Sequence, residues 1–157
     1  MLKQHKTKDQ KGFTIIEVLI VLAIAGLILL IVFLAVPALQ RNSRNTQRKT
    51  DIGRVGSAAT TVVSNANGNM ATGLTRANVA SEVGSNLSIY DFSVAANLVV
   101  NVESVGGTKA NPNNKDIVDV EGNAKCSGTG AVYSSRQIAV LYAVESGSGT
   151  TPICVDQ

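Results

Sequence analysis

Lys11-Gly12-Phe13-Thr14-Ile15-Ile16-Glu17 opens an apolar run that continues to Val36, interrupted only by Thr14, Glu17 and Gly26. As a helix, residues 13–36 would extend about 36 Å at 1.5 Å per residue. The hydrocarbon of a bilayer is about 30 Å thick, so the run can cross it with some tilt. It is too long for the apolar stretch of about 7–15 residues in a plain secretory signal. Ala23-Ile24-Ala25 has a small-x-small form, but apolar residues continue beyond it. No cysteine follows the run, which excludes a lipoprotein.

Upstream, residues 1–12 are short, polar and basic: Lys3, Lys6, Lys8 and Lys11 against the single acid Asp9. The whole chain has 14 basic and 11 acidic residues, a formal charge of +3. Without residues 1–12 the side chains balance at ten of each, so a general polycation argument for nucleic-acid binding fails. About four basic residues flank each side of the run, so the positive-inside rule alone does not orient it.

Downstream, the helical signal outlasts the apolar run. Ile52, Val55, Ala59 and Val62 recur at steps of three and four, the period of an amphipathic helix. The spacing predicts one helix of about 50 residues, apolar first and amphipathic after, with Pro37 as a kink. Gly53 and Gly56 weaken it, and Asn65-Ala66-Asn67-Gly68-Asn69 ends it. Residues 75–83 read as a short helix closed by Gly84. Phe92–Val102, Ile117–Glu121 and Gln137–Val144 read as strands, Val105–Asp116 as a loop, and 146–151 as a turn. With only three Phe, three Tyr and no Trp, the part after the helix has a modest core.

The chemistry-bearing residues are few. Glu17 is the conspicuous one: an acid at the centre of a membrane helix costs about 3 kcal/mol, less near an end, and such a residue usually has a partner or a function. Cys126 and Cys154 have neither CxxC spacing nor a neighbouring His. An even count in an exported chain reads as one disulfide, against two separate thiols in a reducing compartment. Arg41, Arg44 and Arg48 share one helical face; a solvated face or inter-subunit ion pairs are favoured over a patch for DNA or acidic lipid. Asp116, Asp119 and Glu121, with Asn123, offer oxygens that would suit calcium. Their spacing fits no calcium loop, so hydrated turn residues are the preferred reading and no metal or other cofactor is expected. The one histidine, His5, lies in the leader, and Val105-Gly106-Gly107-Thr108 lacks the spacing and lysine of a phosphate loop. The mature part therefore has no histidine base and no thiolate–imidazole pair, and an enzyme is not expected.

Gly12, the aromatic Phe13 and Glu17, in fixed spacing between a short basic leader and the apolar run, resemble the type IV pilin family, including the pseudopilins of type II secretion systems. The leader resembles that of the type IVa branch. Arg136 to Glu145, followed by Cys154-Val155-Asp156-Gln157, looks like the last strands of many pilins, where a cysteine near the end is bonded to an earlier one. Pro37 lies somewhat farther from the cut than the helix proline of family members. The resemblance implies an α+β pilin fold, with the long helix packed on a small C-terminal antiparallel sheet. It implies a leader at 1–12, a transmembrane and filament-core half-helix at 13–36, an amphipathic half at 37–66, and a head at 67–157 with a disulfide-bounded region 126–154. A membrane prepilin peptidase would cut between Gly12 and Phe13 and N-methylate Phe13. Glu17 would then meet the Phe13 amine of a staggered neighbour in a helical homo-oligomer.

The precursor is expected to rest in the inner membrane with its leader in the cytoplasm, among the pilus assembly machinery, and the filament to be extracellular. Filaments of this family serve attachment to surfaces or cells, twitching motility, DNA uptake or secretion. A pseudopilin is the nearest alternative. A membrane-anchored surface-binding protein that never polymerises is the rival from another class.

Overall fold

A computed structural model describes residues 12–84, 87–102, 114–147 and 149–157. The chain divides into two compact units, Met1–Gln40 and Arg41–Gln157. The expected leader, apart from Gly12, and most of the expected loop 105–116 lie outside the described residues.

Helix α1, Ile15–Asn65, runs through Pro37 without interruption. In the first unit every described residue is exposed, Phe13 at 89% and Phe33 at 75%. An 18-residue window of this helix reaches a mean hydropathy of 3.4 with none of it buried. A surface so apolar is unfavourable in water at about 25 cal/mol per Å², so it requires lipid or other apolar partners.

In the second unit the same helix is amphipathic. Ile52, Val55, Ala59 and Val62, the residues picked out by their period, are all buried, as are Ala58 and Val63. The helix ends in a Schellman motif. Asn67 is left-handed (φ 56°), its N–H donates to Ser64 O at 3.0 Å, and the Gly68 N–H donates to Val63 O at 2.9 Å. Two short helices follow: α2, Met70–Gly73, which the sequence did not announce, and α3, Arg76–Val83, which it did. Side chains cap both, Asn69 the first and Thr75 the second, and Gly84 (φ 63°) closes α3.

Four strands form one sheet in the order β1-β2-β3-β4: β1 Leu98–Val102, β2 Val118–Ser127, β3 Gly130–Ser146 and β4 Gly149–Asp156. The last three are antiparallel, as expected. The first pairs with β2 in parallel, with Leu98 opposite Val118, so the sheet is mixed rather than wholly antiparallel. Parallel neighbours need a connection of about a dozen residues or more, and the sequence has 15 residues between Val102 and Val118. The strand expected from Phe92 begins only at Leu98. Asp91 instead accepts from the Ser93 N–H and hydroxyl, and a 3-10 turn fills Ala95–Asn97. The turn expected over 146–151 is shorter: Ser146 already pairs with Gly149, so Thr150 and Thr151 belong to β4.

One face of the sheet packs on α1. Val118 and Val120 of β2 and Ile138, Val140 and Tyr142 of β3 join Ile52, Val55 and Val62 in a single core. The other face is covered by the sheet's own hairpin. The β2–β3 pairing jumps from Gly122–Ile138 to Ala124–Tyr133, leaving Ser134 to Gln137 opposite Asn123 alone. Asn123 (φ 54°) and Arg136 (φ 62°) are left-handed at that jump, and Arg136 N–H donates to Asn123 Oδ1 at 3.4 Å. Such a bulge bends and re-aims a strand. The hairpin tip folds back so that Ala124 and Ala131 pack on Ala139 and Leu141.

Candidate processing and assembly site

Gly12, Phe13 and Thr14 precede the helix and are not helical, so the Gly12–Phe13 peptide bond stands outside the hydrogen-bonded ladder. Among the described residues, nothing lies within 4 Å of the position a Gly12 Cβ would take. A protease needs an accessible bond, and among the described residues nothing pairs with this one or covers it.

The helix begins one residue after Thr14 because Thr14 and Glu17 cap it reciprocally. The Thr14 N–H donates to Glu17 Oε2 at 2.8 Å and the Thr14 hydroxyl to the same oxygen at 2.7 Å. The Glu17 N–H donates in return to Thr14 Oγ1 at 3.4 Å. This is a capping box, and the carboxylate also sits at the positive end of the helix dipole. Two donors on one oxygen lower the cost of an acid in an apolar segment. Thr14 was missed as a partner of Glu17, although Thr-x-x-Glu ahead of an apolar run is itself a signature of a helix start.

The three arginines expected on one face do share one, and it is the face that meets the sheet. Arg44 reaches Glu145 at 2.6 Å and Arg48 reaches it at 3.0 Å, while Arg41 Nη1 donates to Gly147 O at 3.0 Å. These three contacts lie within the chain, and Arg44 is also exposed to solvent. Hydrogen bonds from Arg44 and Arg48 hold the Glu145 carboxyl down at about 2. Asp51, fully buried, accepts from the Ser88 N–H with both oxygens (3.0 and 2.9 Å) and from the Ile89 N–H at 2.9 Å. Neither Glu145 nor Asp51 had been recognised, because partners 37 to 101 residues apart leave no local pattern.

Of the acidic trio, Asp116 is exposed in a turn, while Asp119 and Glu121 both face Asn101 Nδ2 across the β1–β2 pair. Among the described residues no three His, Cys, Asp or Glu side chains gather to hold a metal ion. Cys126 and Cys154 form a disulfide with Cα atoms 5.6 Å apart, joining the folded-back hairpin to β4. The Cys126 N–H also donates to Asp156 Oδ1 at 2.6 Å.

Residues 7–33 match the family described as the prokaryotic N-terminal methylation motif. The chain thus carries, ahead of an α+β unit, the motif characteristic of type IV pilins and pseudopilins. The apolar helix and the motif together fit a membrane-anchored precursor. No curated protein and no solved structure matches the chain.

Proposed function

We propose that the chain is a prepilin whose mature form is a structural subunit of a type IV pilus filament. Prepilin peptidase cuts the Gly12–Phe13 bond and methylates the new Phe13 amine. The observation that carries the reading is the coincidence of the methylation motif with an uncovered, non-helical Gly12–Phe13 bond and a carboxylate held at the first turn. In the membrane Thr14 supports Glu17. During assembly the Phe13 ammonium of a staggered neighbour binds the carboxylate, neutralising two charges in an apolar core and selecting the packing register. The precursor sits in the inner membrane until the assembly machinery extracts it, and the disulfide suits the oxidising space outside. Attachment, motility and DNA uptake are the activities such a filament would serve.

Intact-mass measurement on sheared surface fibres tests this. The expected mature chain begins at Phe13 and carries one added methyl group. A chain beginning at Met1, or after Ala25, would overturn the reading. Glu17→Ala is expected to leave the precursor in the membrane and abolish fibres. A membrane-anchored binding protein that does not polymerise would show no such loss.

A further inference from the structure

The first turns of α1 in the second unit are attached differently from the rest. Between Arg41 and Asp51 no apolar side chain is buried; the buried residues there are Arg48 and Asp51, and the apolar core starts at Ile52. The attachment of these turns is polar and converges on the end of β3. Arg44 donates to both Glu145 oxygens, at 3.0 Å to Oε1 from Nε and at 2.6 Å to Oε2 from Nη2, and Arg48 Nη1 donates to Oε1 at 3.0 Å. Asn45 brackets the same residue's backbone, its Nδ2 donating to Glu145 O and its Oδ1 accepting from Glu145 N–H, both at 2.8 Å. Arg41 adds the bond to Gly147.

We propose that Glu145 is a latch holding the Arg41–Arg48 turns against the sheet, and that neutralising it frees those turns while the apolar core stays packed. Arg48 supplies the drive. Its side chain is 3% exposed, and a buried guanidinium without a counter-charge is strongly unfavourable. Swinging into water rehydrates it, and residues 41–51 carry no apolar side chain of their own that would have to leave the core.

The charged groups facing Glu145 are Arg44 and Arg48 from α1, with Arg41 one turn earlier. From β4 the residue opposite is the uncharged Thr150. Behind Arg48 stand Tyr90 and Asp51. The carboxyl of Asp51 already accepts three hydrogen bonds from the Ser88 and Ile89 N–H groups, whereas Glu145 is the carboxylate that Arg48 contacts directly. The proposal goes beyond the filament reading and holds for an unassembled subunit.

Spin labels on Gln47→Cys and Thr151→Cys, both exposed positions, measure the docking in the full chain in detergent micelles, the native cysteines being bonded to each other. One narrow distance is expected at pH 7. A longer, broad distribution is expected as pH falls to about 2, and at pH 7 with Glu145→Gln. Adding Arg48→Met to Glu145→Gln should restore the narrow distance, since no buried cation then remains. Near-UV circular dichroism from the tyrosines should persist throughout. A narrow distance retained in Glu145→Gln overturns the latch. Loss of the tyrosine signal together with the distance does so too, because the whole unit has then unfolded. A Glu145→Gln/Arg48→Met chain that stays broad also counts against it.

Discussion

Gly73 lies against the backbone of Val62: a Cβ at position 73 would stand 2.7 Å from the Val62 carbonyl oxygen and 2.9 Å from the Val63 Cα. The close approach lets α2 abut the end of α1, and backbone atoms cannot step aside as a flexible side chain would. Gly73→Ala is expected to destabilise the second unit by about 1–3 kcal/mol, the usual cost of overpacking. Gly53 offers the contrast, because it is exposed in the same long helix with nothing within 4 Å of its would-be Cβ. Gly53→Ala should stabilise by up to about 1 kcal/mol through helix propensity. Thermal melts of the two variants should move in opposite directions.

Asp51 connects α1 to the segment at Ser88 and Ile89 by three charge-assisted bonds. Asp51→Ala removes the acceptor from two backbone N–H groups and should cost about 2–4 kcal/mol, with part of the loss from the charge-assisted character of the bonds. Hydrogen exchange should locate the change, with the Ser88 and Ile89 amides losing protection before those of Val118 to Val120.

The disulfide closes a loop of sequence separation 28. Chain-entropy arithmetic assigns it about 3–4 kcal/mol. Replacing both cysteines with serine should lower denaturant stability by that order. Because the bond fastens the folded-back hairpin, protection should fall first over Ala124 to Val132, while Ile138, Val140 and Tyr142 keep their packing on α1. Equal loss across the sheet would show that the bond supports the whole unit instead.

Acid should weaken the second unit in a window set by Glu145. Its carboxyl is held at about 2 in the folded state, below its ordinary value of 4.5. A depressed carboxylate contributes stability that is complete above the unfolded value and is lost as pH falls through the folded one. The decline attributable to it should therefore run from about pH 4.5 down to about 2. Glu145→Gln should be less stable at pH 7 and show a shallower fall in that window, as read from denaturant midpoints across pH.

The long helix was legible because its signals are local. The period of Ile52, Val55, Ala59 and Val62 and the Asn67-Gly68 stop each act over a few residues. The parallel pairing of β1 was not legible, since Leu98 and Val118 meet across residues 103–117 and nothing in a short strand states its direction. The arginine face was seen as a face, but its direction toward the sheet depends on Glu145, about a hundred residues later. At the candidate site, Gly12, Phe13 and Glu17 stood out by spacing alone. Thr14 needed the capping geometry to acquire a role.

From Ile138 to Ala143 strand β3 is buried on both sides, with Ile138, Val140 and Tyr142 toward α1 and Ala139 and Leu141 under the returning hairpin. The result is an unbroken apolar stretch from Ile138 to Val144 in a region otherwise rich in polar residues. In a chain whose helix and hairpin have not yet closed over it, that window combines high β propensity with no charge and no proline, the composition of a self-associating segment. Arg136 and Glu145 stand just outside its two ends, where charges act as gatekeepers against strand stacking. Glu145 is thus placed, before folding is complete, where a charge opposes the stacking of nascent copies.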